Sequence, residues 1–185
     1  MILKQTKKIF IIVFSFVFSM QIIAQDDKEK SIIEIALEGF KFRSIGPAFM
    51  SGRIADIAID STNENVWYVA VGSGGLWKTT NSGTTWTPLT DKESFYSTGC
   101  VTIDPHNNEK IWLGTGENVG GRHVGIGHGL FVSDDGGKTW ENSGLKKSEH
   151  ISKIVVHPRD PNTIWVAVQG PLWSPDGERG LYKST

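Results

Sequence analysis

From Gly52 onward one pattern of residues occurs three times, and a chain that repeats itself in this way must build its core by stacking like units. Each copy opens on an alternating apolar run: Ile54, Ile57 and Ile59 before Asp60; Val101 and Ile103 before Asp104; Ile154 and Val156 before His157. Such alternation marks a strand with one buried face. A polar turn follows at 61–65, 105–109 and 158–162, and then a second strand around Trp67, Trp112 or Trp165. Each copy next reaches a glycine, a leucine and an aromatic: Gly75-Leu76-Trp77, Gly129-Leu130-Phe131 and Gly180-Leu181-Tyr182. The three central tryptophans stand 45 and 53 residues apart, close to the period of a four-stranded propeller blade. The pattern predicts an all-β chain of about two and a half β-propeller blades, at 52–91, 98–146 and 150–185, belonging to a larger propeller. A closed propeller takes four or more blades, so the chain reads as a fragment.

Two copies carry a longer motif between their third and fourth strands. Residues 133–140 fit Ser-x-Asp-x-Gly-x-Thr-Trp at Ser133, Asp135, Gly137, Thr139 and Trp140. Residues 79–86 are a conservative variant, with Thr79, Asn81, Gly83, Thr85 and Trp86. This predicts a tight hairpin in which Asp135 or Asn81 accepts from turn amides, Gly137 or Gly83 takes a left-handed backbone, and Trp140 or Trp86 packs on the sheet. An aspartate committed to backbone amides is architectural, not catalytic.

These residues resemble the Asp-box, or BNR, repeat families, which include sialidases, xyloglucan-cleaving glycoside hydrolases and sortilin-type receptors. The opening Phe42-Arg43-Ser44-Ile45-Gly46-Pro47, followed by Ser51-Gly52-Arg53-Ile54-Ala55-Asp56, resembles most the exported bacterial proteins labelled sortilin N-terminal-like or BNR glycosyl hydrolase. The resemblance spans about residues 40 to 185 and implies a propeller, whereas a fold does not set an activity. Two departures bear on hydrolysis. The xyloglucanases carry a catalytic aspartate two residues before a Gly-Gly pair, and Gly72 holds that place before Gly74-Gly75. The sialidase Phe-Arg-Ile-Pro opening is not kept: Arg43 is present but is followed by Ser44-Ile45-Gly46-Pro47.

The first residues read as an address. Lys4, Lys7 and Lys8 precede an apolar run from Ile9 to Ile23, and the charged run 26–30 follows Ala24-Gln25. This predicts a signal peptide over 1–24, cleaved near Ala24, then a linker or short helix over 25–38 and the incomplete propeller over 39–185. Export places the protein in the periplasm, on the outer surface or outside the cell, with no membrane association after cleavage. The formal charge of −1 provides no footprint for nucleic acid. A single cysteine, Cys100, permits no internal disulfide and reads as a buried inert thiol. The stretch 40–43 fits an outer strand that pairs with a last blade.

Function is expected where loops emerge from a rigid scaffold, on the end of the blades opposite the motif hairpins. Two loops between second and third strands are enlarged there. One, 117–128, holds Glu117, Arg122, His123 and His128 among glycines; the other, 169–179, holds Trp173, Asp176 and Glu178. With Arg53 and His150 from blade-to-blade connections, the former reads either as a polar ligand site near the propeller axis or as a solvated insertion. Trp173 either stacks on a sugar or fills a gap between loops. The carboxylates available for acid–base chemistry are Glu117, Glu149, Asp176 and Glu178, and sequence selects no pair among them. His123 and His128 lack a recognised metal-ligand spacing. No cofactor motif is found: residues 137–139 end like a phosphate loop, but Val132 stands where that loop needs glycine. Two readings follow, an exported binding or scaffold module for a protein or glycan, and a glycoside hydrolase with some of its carboxylates outside this chain. Remaining blades of a full-length chain are the other expected partner.

Overall fold

The computed structural model describes residues 52–118 and 123–184. The signal peptide, the linker, the strand at 40–43, Arg43 and Arg122 lie outside the described residues. The alternating runs form strands in three antiparallel sheets. In the first, β1 (Ile54–Ile59), β2 (Trp67–Val71), β3 (Gly75–Thr79) and β4 (Thr87–Pro88) lie in chain order. The second repeats this with β5 (Thr98–Asp104), β6 (Asn107–Thr115), β7 (Leu130–Ser133) and β8 (Glu141–Gly144). The third holds β9 (Ile151–Val156), β10 (Ile164–Val168) and β11 (Gly180–Lys183). No helix occurs among the described residues.

Hydrogen-bond register equates positions across the three blades. Ile57 faces Val69, Val101 faces Leu113, and Ile154 faces Val166. The same register corrects the alignment on tryptophan. Tyr68, Trp112 and Trp165 are equivalent, facing Lys78, Val132 and Lys183 respectively, and Trp67 stands one residue earlier, where the other blades have Ile111 and Ile164. A slip of one residue reverses the face. Trp67 therefore turns away from the Tyr68 side, packs on Trp86 with ring centroids 6.5 Å apart and donates its indole N–H to the Glu64 carbonyl at 2.7 Å.

The core lies between blades. Tyr68 and Leu76 of the first pack against Val101, Ile111, Leu113 and Phe131 of the second. Cys100, Trp112 and Leu130 of the second pack against Ile151, Ile154 and Val166 of the third. Burying each such aliphatic or aromatic side chain contributes roughly 1.5–3 kcal/mol, and no single sheet could supply that alone. Burial, with Asp56 adding to it, pushes the Cys100 thiol up to about 12 and leaves it unreactive. Inner strands are also stitched directly: Asp56 accepts from Val101 N at 3.3 Å and Lys153 Nζ at 3.1 Å, and Thr102 donates to the Ile154 carbonyl at 2.9 Å.

The two motif turns close the third and fourth strands as the sequence predicts. Asp135 Oδ1 accepts from Lys138 N and Thr139 N, both at 2.9 Å, and Oδ2 accepts from the Thr139 hydroxyl at 2.7 Å. The Thr139 hydroxyl, then its N–H, with Ser133, hold the Asp135 carboxyl well below the usual carboxylate range. Asn81 keeps the amide bond to Thr85 N at 2.9 Å but reverses the other, its Nδ2 donating to the Thr85 hydroxyl. Gly83 and Gly137 sit at φ 87° and 92°, where a side chain is strained.

Candidate functional site

The opposite end of the blades is built from the residue that precedes each inner strand. Arg53, Ser97 and His150 are equivalent, since each offers its carbonyl to the residue just after the blade's second strand: Gly72, Gly116 and Gln169 donate to them at 2.7, 2.9 and 2.9 Å. All three side chains turn onto the enlarged loop. Arg53 forms an ion pair with the Glu117 carboxylate, the Ser97 hydroxyl lies between the Gly72 carbonyl, its nearer acceptor, and the Gly125 carbonyl at 3.1 Å, and His150 Nδ1 bonds the Glu117 carbonyl at 2.9 Å. Because a carbonyl only accepts, the proton of His150 is on Nδ1. Burial drives its pKa below the ordinary histidine value, outweighing the opposing hydrogen bond that it donates to the Glu117 carbonyl, so the ring is neutral.

Glu117 is the centre of this arrangement. Its carboxylate is 3% exposed, accepts from the Ser73 hydroxyl at 2.7 Å as well as from Arg53, and lies against Gly72 so closely that a Cβ there would stand 2.9 Å from Oε1. Asn118 extends the fastening, donating to the Gly99 carbonyl at 2.7 Å and accepting from Gln169 at 3.2 Å. The loop is thus tied to all three blades.

The other predicted residues are placed as follows. His123 and His128 are exposed, and the His123 carbonyl takes a long 3.5 Å contact from Arg53. Trp173 is 86% exposed at the same end. Glu149 lies in the connector before β9 with φ 54°, Glu178 accepts from Lys147 N at 2.8 Å, and Asp176 is exposed. None of these three carboxylates bonds Glu117. Sequence reasoning missed Ser73 and Ser97, and with them exposed Tyr96 and Ile126 on the same end. Aligning the residue before each first strand picks out Ser97 beside Arg53 and His150. Among the described residues no group of three histidine, cysteine or carboxylate side chains could hold a metal.

The sheets, their register and packing define the chain as part of a β-propeller. No protein-family model and no curated protein matches it. Solved structures do. An ancestral GH74 enzyme superposes with a TM-score of 0.54 at 22% identity over 71% of this chain, and the GH74 enzyme of Niastella koreensis with 0.51 at 26% over 69%. YCF48 from Cyanidioschyzon merolae gives 0.48 at 17% over 75% of this chain and 35% of its own. This chain spans 17% and 19% of the two GH74 chains.

Proposed function

We propose that this chain is an exported segment of an Asp-box β-propeller that binds a protein or a glycan through the loop end of its blades, with further blades completing the propeller. The observation that carries this reading is the exposure of Trp173, Tyr96 and Ile126 on one rigidly fastened end. Exposed aromatic rings on a fixed scaffold are suited to stacking on sugars or anchoring a protein surface. The test is a glycan array and a polysaccharide pull-down with the mature protein, beside Trp173→Ala. The variant should lose at least tenfold in affinity at an unchanged melting temperature; equal retention by both proteins would sink the reading.

A second reading, glycoside hydrolysis, is favoured by one observation. The Glu117 carboxylate occupies the space in front of Gly72, the place where the xyloglucanases bear their aspartate. The GH74 likeness supports it at the level of fold. Against it, Glu117 is closed in by Arg53 and Ser73, whereas a general acid or base must reach substrate. Incubation with xyloglucan and sialosides separates the two: release of reducing ends that Glu117→Gln abolishes would replace the binding reading with the hydrolytic one.

A further inference from the structure

One tryptophan is set apart from the others. Trp67, Trp77 and Trp112 each give the indole N–H to an acceptor of their own blade: the Glu64 carbonyl at 2.7 Å, the Gly74 carbonyl at 2.8 Å and the Asp104 carboxylate at 3.4 Å. Trp86 packs on Trp67 and keeps 39% of its surface in water. Trp173, in the enlarged loop of the third blade, is 86% exposed, and no described residue accepts from its indole. Both faces of this ring are open to a ligand. Loop tips at this end stay in water even between neighbours: Ile126, on the equivalent loop of the second blade, is 57% exposed with a blade packed on each side.

The ring stands on a braced loop. Pro171 and Pro175 restrict the backbone on both sides of it. Arg179 Nη2 donates to the Pro171 carbonyl and, at 3.1 Å, to the Ser174 carbonyl, so one guanidinium ties together the residues that flank Leu172 and Trp173. Gly170 leaves room for it, since a Cβ there would stand 3.2 Å from Arg179 Nε. At the base of the loop, Lys147 N donates to the Glu178 carboxylate at 2.8 Å and Glu178 N to the Lys147 carbonyl at 3.2 Å. These two bonds fasten the loop to the connector between the second and third blades.

The binding strength of an apolar ring follows the area that it withdraws from water. A sugar stacked on Trp173 would cover one face and leave the other wet, whereas a pocket encloses both and offers an acceptor to the indole N–H. A loop already held in place spares the complex the entropy of ordering it. We infer that Trp173 is an anchor that inserts into an apolar pocket of a partner protein, and that Arg179 is the positioning residue that holds it out. This rests on the loop-end binding reading and selects a protein over a glycan as its ligand.

The test uses the full-length protein in the cells that produce it, with photoreactive p-benzoylphenylalanine in place of Asp176, which is exposed on the same loop. Irradiation should give one protein adduct, at least tenfold weaker with Trp173→Ala and at least fivefold weaker with Arg179→Lys, whose single ammonium lacks the planar fork. Melting temperatures should be unchanged. In vitro the probes are β-cyclodextrin, an apolar cavity, and maltoheptaose, the same glucose units in an open chain. The fluorine resonance of 5-fluorotryptophan at position 173, assigned by its loss in Trp173→Phe, should shift saturably with the first and not with the second. An absent adduct, or one indifferent to Trp173→Ala or Arg179→Lys, overturns the inference. An equal shift with maltoheptaose, or array glycans retained by the parent and not by Trp173→Ala, assigns the ring to a glycan; the loop-end reading then stands while this inference falls. With neither adduct nor glycan, both fall.

Discussion

At the scale of single residues, the motif turn shows how a carboxylate can be conspicuous and still be architectural. Asp135 spends both oxygens on its own loop, and blade 1 does the same work with the neutral Asn81. Its folded pKa is depressed, so its contribution is complete above the unfolded value of ~3.9 and is lost as pH falls below that. Thermal melts from pH 7 to pH 2 should show Asp135→Asn losing less melting temperature in acid than the parent. His150 has the same sign for a different reason, burial that disfavours its charged form. Burial lowers its folded pKa, so the stability it contributes is full above the unfolded value of ~6.5 and declines as pH falls through it. A His150→Gln variant should have a flatter melting temperature between pH 7 and pH 5, and an identical slope in both proteins would contradict the buried neutral ring.

Among the elements, the enlarged loop after β6 is where the sequence was least able to choose. Composition marked Glu117, Arg122, His123 and His128 as polar residues in a glycine-rich stretch, and it left a ligand site and a loose insertion equally open. The structure finds a loop fastened by the residues that open each blade's inner strand. Its Glu117 is used for that fastening, while the two histidines stay exposed. Removing the guanidinium leaves a buried carboxylate with a single hydroxyl partner, at a cost of about 1–3 kcal/mol, which falls on the loop and not on the sheets. Arg53→Met should therefore speed amide exchange at Glu117 and Gly127, whose N–H groups are held by the Gly125 and Glu149 carbonyls, at least tenfold and leave β6 and β7 protected, as read by hydrogen–deuterium exchange. Equal acceleration in the strands would show that the ion pair holds the blade as a whole.

For the whole molecule, stability follows from which blade faces meet. Leu76 and Leu130 hold one position of the repeat and are each buried against the next blade. Leu76→Ala and Leu130→Ala should each cost about 2–5 kcal/mol in denaturant unfolding. A loss of no more than ~0.5 kcal/mol at either would mean that the neighbouring blade does not close over it in solution. Strand existence, blade spacing and the motif turns were legible from residue order alone, because alternation, glycine backbone freedom and amide-binding carboxylates act within a few residues of one another. The exact register was not: a Trp beside Tyr68 drew the alignment one residue off, and only cross-strand pairing separates adjacent positions of a strand. The link from Arg53 to Glu117 spans 64 residues and two blades. Sequence by itself determined the unit that repeats, since its causes are local; the tertiary structure decided which carboxylate is neutralised and which aromatic rings face solvent, since these depend on how far one blade turns its side chains toward the next.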